Sequence, residues 1–161
     1  MLRYLTSIIL LLSPFTGVKK SSLPQAPLVE LKGVDVSHYQ KEIEWDMVAT
    51  ANPVDFAFVK ATEGHDYVDS LFCHNWESLG GLGIRRGAYH FFRAYGCGDE
   101  QAANFLSHVE MLPGDLAPVL DIERTDGIAT EIMLEEAYIW LAKVEQALNV
   151  KPIIYTNQHF Y

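Results

Sequence analysis

Short apolar runs alternate with amphipathic segments along this chain, and this alternation constrains its fold more than any other feature. Apolar runs predict strands over residues 33–37, 54–61, 86–92, 116–122 and 151–156. Apolar residues at helical spacing predict helices over residues 42–51, 70–83, 99–112 and 130–149. Strands and helices in regular succession are typical of a parallel sheet covered by helices. The sequence therefore predicts an α/β fold.

Local signals indicate where two of these helices begin. Asp99 and Thr130 each precede an apolar helical stripe. Aspartate and threonine are favoured at the N-cap because their side-chain oxygens accept hydrogen bonds from free backbone N–H groups. We therefore expect Asp99 and Thr130 to be the N-cap residues of their helices.

Residues 1–20 differ in character from the rest of the chain. One arginine precedes an apolar run from Tyr4 to Phe15, which is typical of a secretory signal. The run is shorter than the roughly 20 residues of a membrane span, and its cleavage pattern is weak, so cleavage and retention as an anchor both stay open. Residues 21–32 are interpreted as a linker and residues 33–161 as one domain. We expect the protein to be secreted or held in the cell envelope.

Charge and cysteine content exclude several classes of partner. The formal net charge of −9 leaves no basic surface to neutralise phosphates, so nucleic acid is not an expected partner. No stable membrane partner is expected beyond a possible N-terminal anchor. Cys73 and Cys97 are too few and too far apart for a zinc site, and in an exported chain they either pair or remain two thiols. No metal or other cofactor is predicted.

Polar side chains lie at or near the carboxyl ends of the predicted strands, where parallel α/β folds carry their functional sites. They are Asp35, Lys60, Arg93, Asp121, Glu123 and Asn157. Asp121 and Glu123 are two positions apart on one strand, so both point to the same side. Repulsion and partial burial raise the pKa of such acids, which suits the paired carboxyls of glycoside hydrolysis. The spacing alone also fits a cation site or a solvated strand end.

Longer motifs make the interpretation more specific. In chain order they are "GVDVSHYQ", "FAFVKATEG", "RGAYHFFR", "APVLDIE" and "KPIIYTN". Together they resemble glycoside hydrolase family 25, the lysozymes or N-acetylmuramidases, over about residues 33–161. The resemblance implies a TIM-like, flattened and irregular β/α barrel. It also implies hydrolysis of the β-1,4 bond between N-acetylmuramic acid and N-acetylglucosamine, with peptidoglycan glycan strands as the partner.

The resemblance also implies roles for individual residues. Glu123 matches the general acid, and Asp121 matches the acid that stabilises the intermediate or orients the acetamido group of the substrate. Asp35 matches the acid of the first motif, although capping of the turn at Ser37 is an alternative. The remaining matches to the substrate-binding groove are Tyr89, Tyr155 and, with a less defined role, Lys60.

Two further polar residues receive structural interpretations. His90 alternates with Tyr89 along the strand, so we expect it to face the helices as a packed, hydrogen-bonded side chain. Glu63 is expected only to complete a loop.

The predicted strands number five, whereas a closed β/α barrel has eight. We therefore expect a barrel that is truncated after the fifth strand and has an unpaired edge there. A groove without one wall leaves its acids in wetter surroundings, which reduces their pKa shifts. The alternative to an active hydrolase is thus a non-catalytic glycan-binding module or an inactive truncated barrel.

Overall fold

The structure, a computed structural model, describes residues 30–158. The predicted signal and most of the predicted linker lie outside these residues. The strands are β1 (Gly33–Val36), β2 (Phe56–Glu63), β3 (Tyr67–Val68), β4 (Arg85–Phe91), β5 (Val119–Ile122) and β6 (Ile153–Thr156). The α-helices are α1 (Trp45–Ala51), α2 (Phe72–Gly81), α3 (Gly98–His108) and α4 (Thr130–Leu148), and a short 3-10 helix spans His38–Gln40.

The strands form one curled sheet in the order β1-β2-β4-β5-β6, and every pair along this path is parallel. The sheet forms a half-barrel, which confirms the predicted α/β fold class. The two-residue strand β3 pairs antiparallel with β2 and was not predicted. Because parallel strands all end at the same edge, the curl brings their carboxyl ends around one mouth.

The convex outer face of the sheet forms the core with the helices. Alternate strand residues such as Val59, Ala88 and Leu120 are fully buried there. The rings of Phe105 in α3 and Trp140 in α4 pack against each other with centroids 5.3 Å apart. Burial of these apolar side chains is the main source of stability, at about 25 cal/mol per Å² of surface removed from water.

The two predicted N-caps are wrong by one or two residues. Helix α3 begins at Gly98, with Cys97 as its N-cap, and Asp99 lies in the first turn, where it pairs with Lys143 at 2.6 Å. The Gly98 N–H donates to Glu136 Oε2 of α4 at 2.6 Å, so a tertiary contact replaces the expected local cap. Likewise, Thr130 is the first residue of α4.

The edge strand β6 is much less covered than its neighbours. Ile153, Ile154 and Tyr155 are all exposed, although their side chains alternate between the two faces of the sheet. The expected unpaired edge at the fifth parallel strand is therefore present in the part of the chain described. Cys73 and Cys97 are both exposed free thiols. Within residues 30–158, none of the helices combines the length and apolar character needed to cross a bilayer.

Candidate active site

A groove with a volume of about 660 Å³ lies on the concave side of the sheet. All five parallel strands contribute to its lining. The structure brings all six predicted site residues to this groove: Asp35, Lys60, Tyr89, Asp121, Glu123 and Tyr155. Because neighbouring strands are in parallel register, residues far apart in sequence share one surface, as the strand-end argument predicts.

The two acids of the "DIE" motif lie at the carboxyl end of β5. Asp121 and Glu123 both line the groove, whereas Ile122 between them packs into the core. Asp121 is buried, with 9% of its surface exposed, and Glu123 is half-buried. The strand therefore places one acid on the floor of the groove and the other nearer to solvent.

Burial raises the pKa of Asp121 to about 7, and the Glu123 carboxylate is the second cause. Asp35 and Glu63 raise this pKa further, while the nearby Lys60 ammonium lowers it. The Asp121 Oδ1 atom is buried and has no hydrogen-bond partner among the described residues. A buried carboxyl with a strongly raised pKa and a free oxygen in a groove is typical of a functional site.

Asp35 reaches the same groove from β1, where it pairs in register with Phe58 of β2. The alternative role of Asp35 as a cap is wrong, because Ser37 itself caps the following 3-10 helix. The Ser37 Oγ accepts the Tyr39 N–H at 3.3 Å, and the Gln40 side chain accepts the Ser37 N–H at 2.8 Å. The Asp35 carboxylate is consequently not required for the turn.

Tyr89 is on β4, which lies between the strand of Asp35 and the strand of Asp121 in the sheet. Burial raises the pKa of its hydroxyl, and the charges of Asp121 and Asp35 raise it further. Tyr89 therefore remains neutral at physiological pH and can donate a hydrogen bond within the groove. On β6, Tyr155 is exposed, and the Glu123 carboxylate raises the pKa of its hydroxyl.

A β-bulge in β2 determines which of its polar residues reach the groove. The register with β4 shifts between Lys60 and Thr62. In a regular strand, residues three apart point to opposite faces, but the extra residue places both Lys60 and Glu63 in the groove. Lys60 is only 5% exposed, and its Nζ contacts Glu63 Oε2 at 2.5 Å and lies 4.9 Å from the centre of the Phe91 ring.

Glu63 continues into a chain of ion pairs along the mouth. Its Oε1 contacts Arg93 Nη1 at 3.2 Å, and Arg93 Nη2 contacts Asp126 Oδ1 at 2.9 Å. Asp126 also accepts the Ala94 N–H at 3.0 Å. The expectation that Glu63 only completes a loop is therefore wrong. The strand pattern hides its position because a bulge leaves no clear signal in the spacing of apolar residues.

His90 lies on the opposite face of the sheet, as predicted. It is fully buried, and its ring nitrogens contact Thr62 Oγ1 at 2.7 Å and Gln101 Oε1 at 3.1 Å. The ring also stacks on Trp140. Burial lowers the pKa of His90 to about 4, so the histidine is neutral at physiological pH. Its place is structural.

Comparison with known proteins identifies the family. The sequence profile for "Glycosyl hydrolases family 25" matches residues 34–161, which is most of the chain. The chain belongs to glycosyl hydrolase family 25.

Individual proteins also resemble the chain in sequence or in structure. It is 38% identical over 135 residues to the uncharacterized protein YegX of Escherichia coli K12, covering 81% of the chain and 50% of YegX. It is 39% identical over 115 residues to Lysozyme M1 of Streptomyces globisporus, covering 66% of the chain and 37% of that protein. The solved structure of a family 25 glycosyl hydrolase from Bacillus anthracis superposes with a TM-score of 0.77 at 34% identity, covering 89% and 68% of the two chains.

The chain spans about half the length of the curated relatives it matches first. The part matched by the family profile contains the predicted acids Asp35, Asp121 and Glu123. Within residues 30–158, no group of three histidine, cysteine, aspartate or glutamate side chains is arranged to hold a metal ion.

Proposed function

We propose that the chain is a lysozyme-type muramidase that hydrolyses the β-1,4 bond between N-acetylmuramic acid and N-acetylglucosamine in peptidoglycan. One observation carries the proposal: a family 25 groove holds two carboxyls on one strand end, one buried and one half-buried. Glycoside hydrolysis uses such a pair because one carboxyl donates a proton to the leaving oxygen, while the other, ionised, attacks or stabilises the positive charge that develops on the sugar.

We assign the general acid to Glu123 and the supporting acid to Asp121. Glu123 is the more accessible of the two, so it is better placed to reach the oxygen of a glycosidic bond in the groove. Asp121 lies on the floor, where it suits stabilisation of positive charge on the sugar or orientation of the acetamido group. Asp35 adds a third acid to the same surface.

We assign substrate binding to Tyr89, Tyr155 and Lys60. The neutral Tyr89 hydroxyl is suited to hydrogen-bond a sugar oxygen, and the exposed Tyr155 ring is suited to pack against a sugar face. Lys60 is fixed by Glu63 and brings positive charge to the buried end of the groove. The glycan strand of peptidoglycan is the partner that this combination favours.

Export and domain organisation belong to the same proposal. A muramidase meets its substrate outside the cytoplasm, and residues 1–20 carry the pattern of a signal or anchor. We therefore propose a secreted or envelope-bound protein in which residues 33–161 form the catalytic domain and residues 21–32 a linker.

The second candidate function is glycan binding without turnover. The exposure of Tyr155 and of both isoleucines before it favours this alternative, because the groove has no covering element beyond β6 within the described residues. Water that enters from this side weakens the electrostatic effects on which acid catalysis depends.

Clearance of a peptidoglycan suspension tests the proposal. The variants are Glu123→Gln, which keeps the shape but cannot donate a proton, and Glu145→Gln, which makes the same change on the exposed side of α4. We expect the chain and Glu145→Gln to reduce the turbidity, and Glu123→Gln to be slower by roughly 100-fold or more. Sedimentation with the same peptidoglycan separates the alternatives, since a binding module would co-sediment without any clearance.

A further inference from the structure

A second cavity of about 260 Å³ adjoins the active-site groove. The two share Tyr39, Glu63 and Arg93 as lining residues, so one surface continues from the acids into the second cavity. Of the polar strand-end residues singled out in the sequence, only Arg93 lines this cavity, and none of the six predicted catalytic and substrate-binding residues does. Its position suggests an extension of the groove, and its smaller volume suits a ligand about the size of one sugar ring.

Exposed aromatic rings are the main feature of the second cavity. Tyr39 and Tyr95 both line the cavity, and they are 77% and 60% exposed, so both ring faces are accessible to a ligand. Both rings are nevertheless held in place. Tyr39 packs on His38 with ring centroids 4.2 Å apart, and the Arg93 guanidinium lies 5.1 Å from the centre of the Tyr95 ring. Rings that are fixed and exposed lose little entropy when they bind.

Polar groups beside these rings are fixed as well. The His38 Nδ1 lies 2.6 Å from Oδ2 of the buried Asp69, and the Tyr67 hydroxyl lies 3.3 Å from the same nitrogen. Asp69 also accepts the backbone N–H groups of His38 and Leu71 at 3.1 Å. The histidine ring, which lines the same cavity as the exposed tyrosines, is therefore held in a fixed position.

The charges in the cavity favour a neutral ligand over an anionic one. Arg93 is paired with both Glu63 and Asp126, and Glu63 is paired with both Lys60 and Arg93. His65 and Asp66, also in the lining, are 3.6 Å apart. Because these charges offset one another, a carboxylate-bearing peptide gains no free cation here, whereas hydroxyl groups find many hydrogen-bond partners.

We propose that the second cavity is an additional sugar-binding subsite, which holds one more ring of the glycan strand whose scissile bond lies at Asp121 and Glu123. This inference rests on the proposed muramidase function, because it takes its ligand from the same glycan. Tyr95 and Tyr39 stack on the sugar, and His38 and Tyr67 bond its hydroxyl groups.

The test measures binding of N-acetylglucosamine oligomers of two to five units by calorimetry, in the Glu123→Gln background so that the oligomers stay intact. We expect affinity to rise with length. Adding Tyr95→Ala should weaken binding of the longest oligomer roughly five- to tenfold and leave the dimer unaffected. Tyr95→Phe should retain the affinity, since it keeps the ring. Tyr138→Ala, which removes another exposed tyrosine on α4, is the matched control and should change nothing.

Other outcomes overturn the inference in distinguishable ways. If affinity does not rise with length, or if Tyr95→Ala weakens every oligomer equally, the second cavity is not a separate subsite. If the Tyr95→Ala effect appears only with peptidoglycan fragments that carry their peptides, the cavity binds peptide. If no oligomer binds and the unsubstituted chain clears no peptidoglycan, the muramidase proposal itself fails.

Discussion

The two faces of the parallel sheet use the same strands for opposite purposes. On the convex face, Val59, Ala88 and Leu120 are fully buried under the helices. On the concave face, their neighbours Lys60, Tyr89 and Asp121 line an open groove. The alternation of side chains along a strand therefore separates stability from chemistry residue by residue. The difference teaches that a single step along β5 changes the expected effect of a substitution from unfolding to loss of activity.

The covering of the convex face is itself uneven, and one register pair shows this directly. Leu120 of β5 and Ile154 of β6 are partners on the same face. Leu120 is 0% exposed and Ile154 is 56% exposed. The same kind of side chain thus contributes very differently at the centre of the sheet and at its edge.

The largest expected effect comes from Leu120→Ala. Removing a fully buried leucine leaves a cavity and should lower the free energy of unfolding by about 2–5 kcal/mol. Urea denaturation measures this loss. Clearance of peptidoglycan by the fraction that remains folded should change little, because Leu120 points away from the groove. A loss of less than 1 kcal/mol would show that the convex face is not the core.

The second prediction contrasts the pH responses of the two faces. The lowered pKa of His90 removes stability as the pH falls from about 6.5 towards 4, by up to about 3 kcal/mol. The raised pKa of Asp121 acts in the opposite direction, because its stabilising protonated form is lost as the pH rises from about 4 to about 7. The two slopes offset each other in the unsubstituted chain.

Asp121→Asn removes only the second of these slopes. The difference in free energy of unfolding between this variant and the unsubstituted chain should therefore be near zero at pH 4. It should increase in favour of the variant up to pH 7. Urea unfolding across this range measures the difference, with Glu145→Gln as the control for loss of an exposed carboxylate. A difference that stays constant with pH would contradict the assignment of the raised pKa to Asp121.

A smaller effect is expected from Glu63→Gln, which interrupts the ion pairs of the mouth. Loss of the bonds to Lys60 and Arg93 should cost about 1–2 kcal/mol of stability. The Glu63 charge raises the pKa of Asp121, so removal of that charge should lower this pKa. The part of the pH-activity profile that follows the ionisation of Asp121 should then shift to lower pH. If the profile does not move, Glu63 has no electrostatic influence on the acids.

The smallest effect is expected from Ile154→Ala, the edge counterpart of Leu120→Ala. More than half of the Ile154 surface is already in water, so the loss should stay below about 1 kcal/mol. Urea denaturation of the two variants side by side gives the comparison directly. Equal losses would mean that β6 is covered in solution, and the contrast between centre and edge would fail.

Much of the fold and the groove could be predicted from the sequence. Strands β1, β2, β4, β5 and β6 all fall within or close to the predicted ranges, because short apolar runs that alternate regularly with helical patterns leave few alternatives. The six site residues meet because parallel strands end at one edge, which requires only the order of the elements.

Local signals proved weaker wherever a distant residue could take their place. Asp99 is a good N-cap by sequence, yet Glu136 from another helix caps α3 instead. Glu63 follows Lys60 by an interval that predicts opposite faces, yet the bulge turns both into the groove. In each case a contact between distant parts of the chain decided the local geometry.

The sequence by itself determined the succession of strands and helices, the side of β5 on which both acids lie, and the family, because these depend on periodicity and motif order. Only the tertiary structure decided that Asp121 is the buried acid, that Glu63 joins the groove, and that a second tyrosine-rich cavity continues from it. Burial, ion pairing and cavity shape arise from several strands and loops that meet in space. The physical reason is that the local backbone determines which face of a strand a side chain points to. The solvent exposure of that side chain and the charges around it depend on residues far away in sequence.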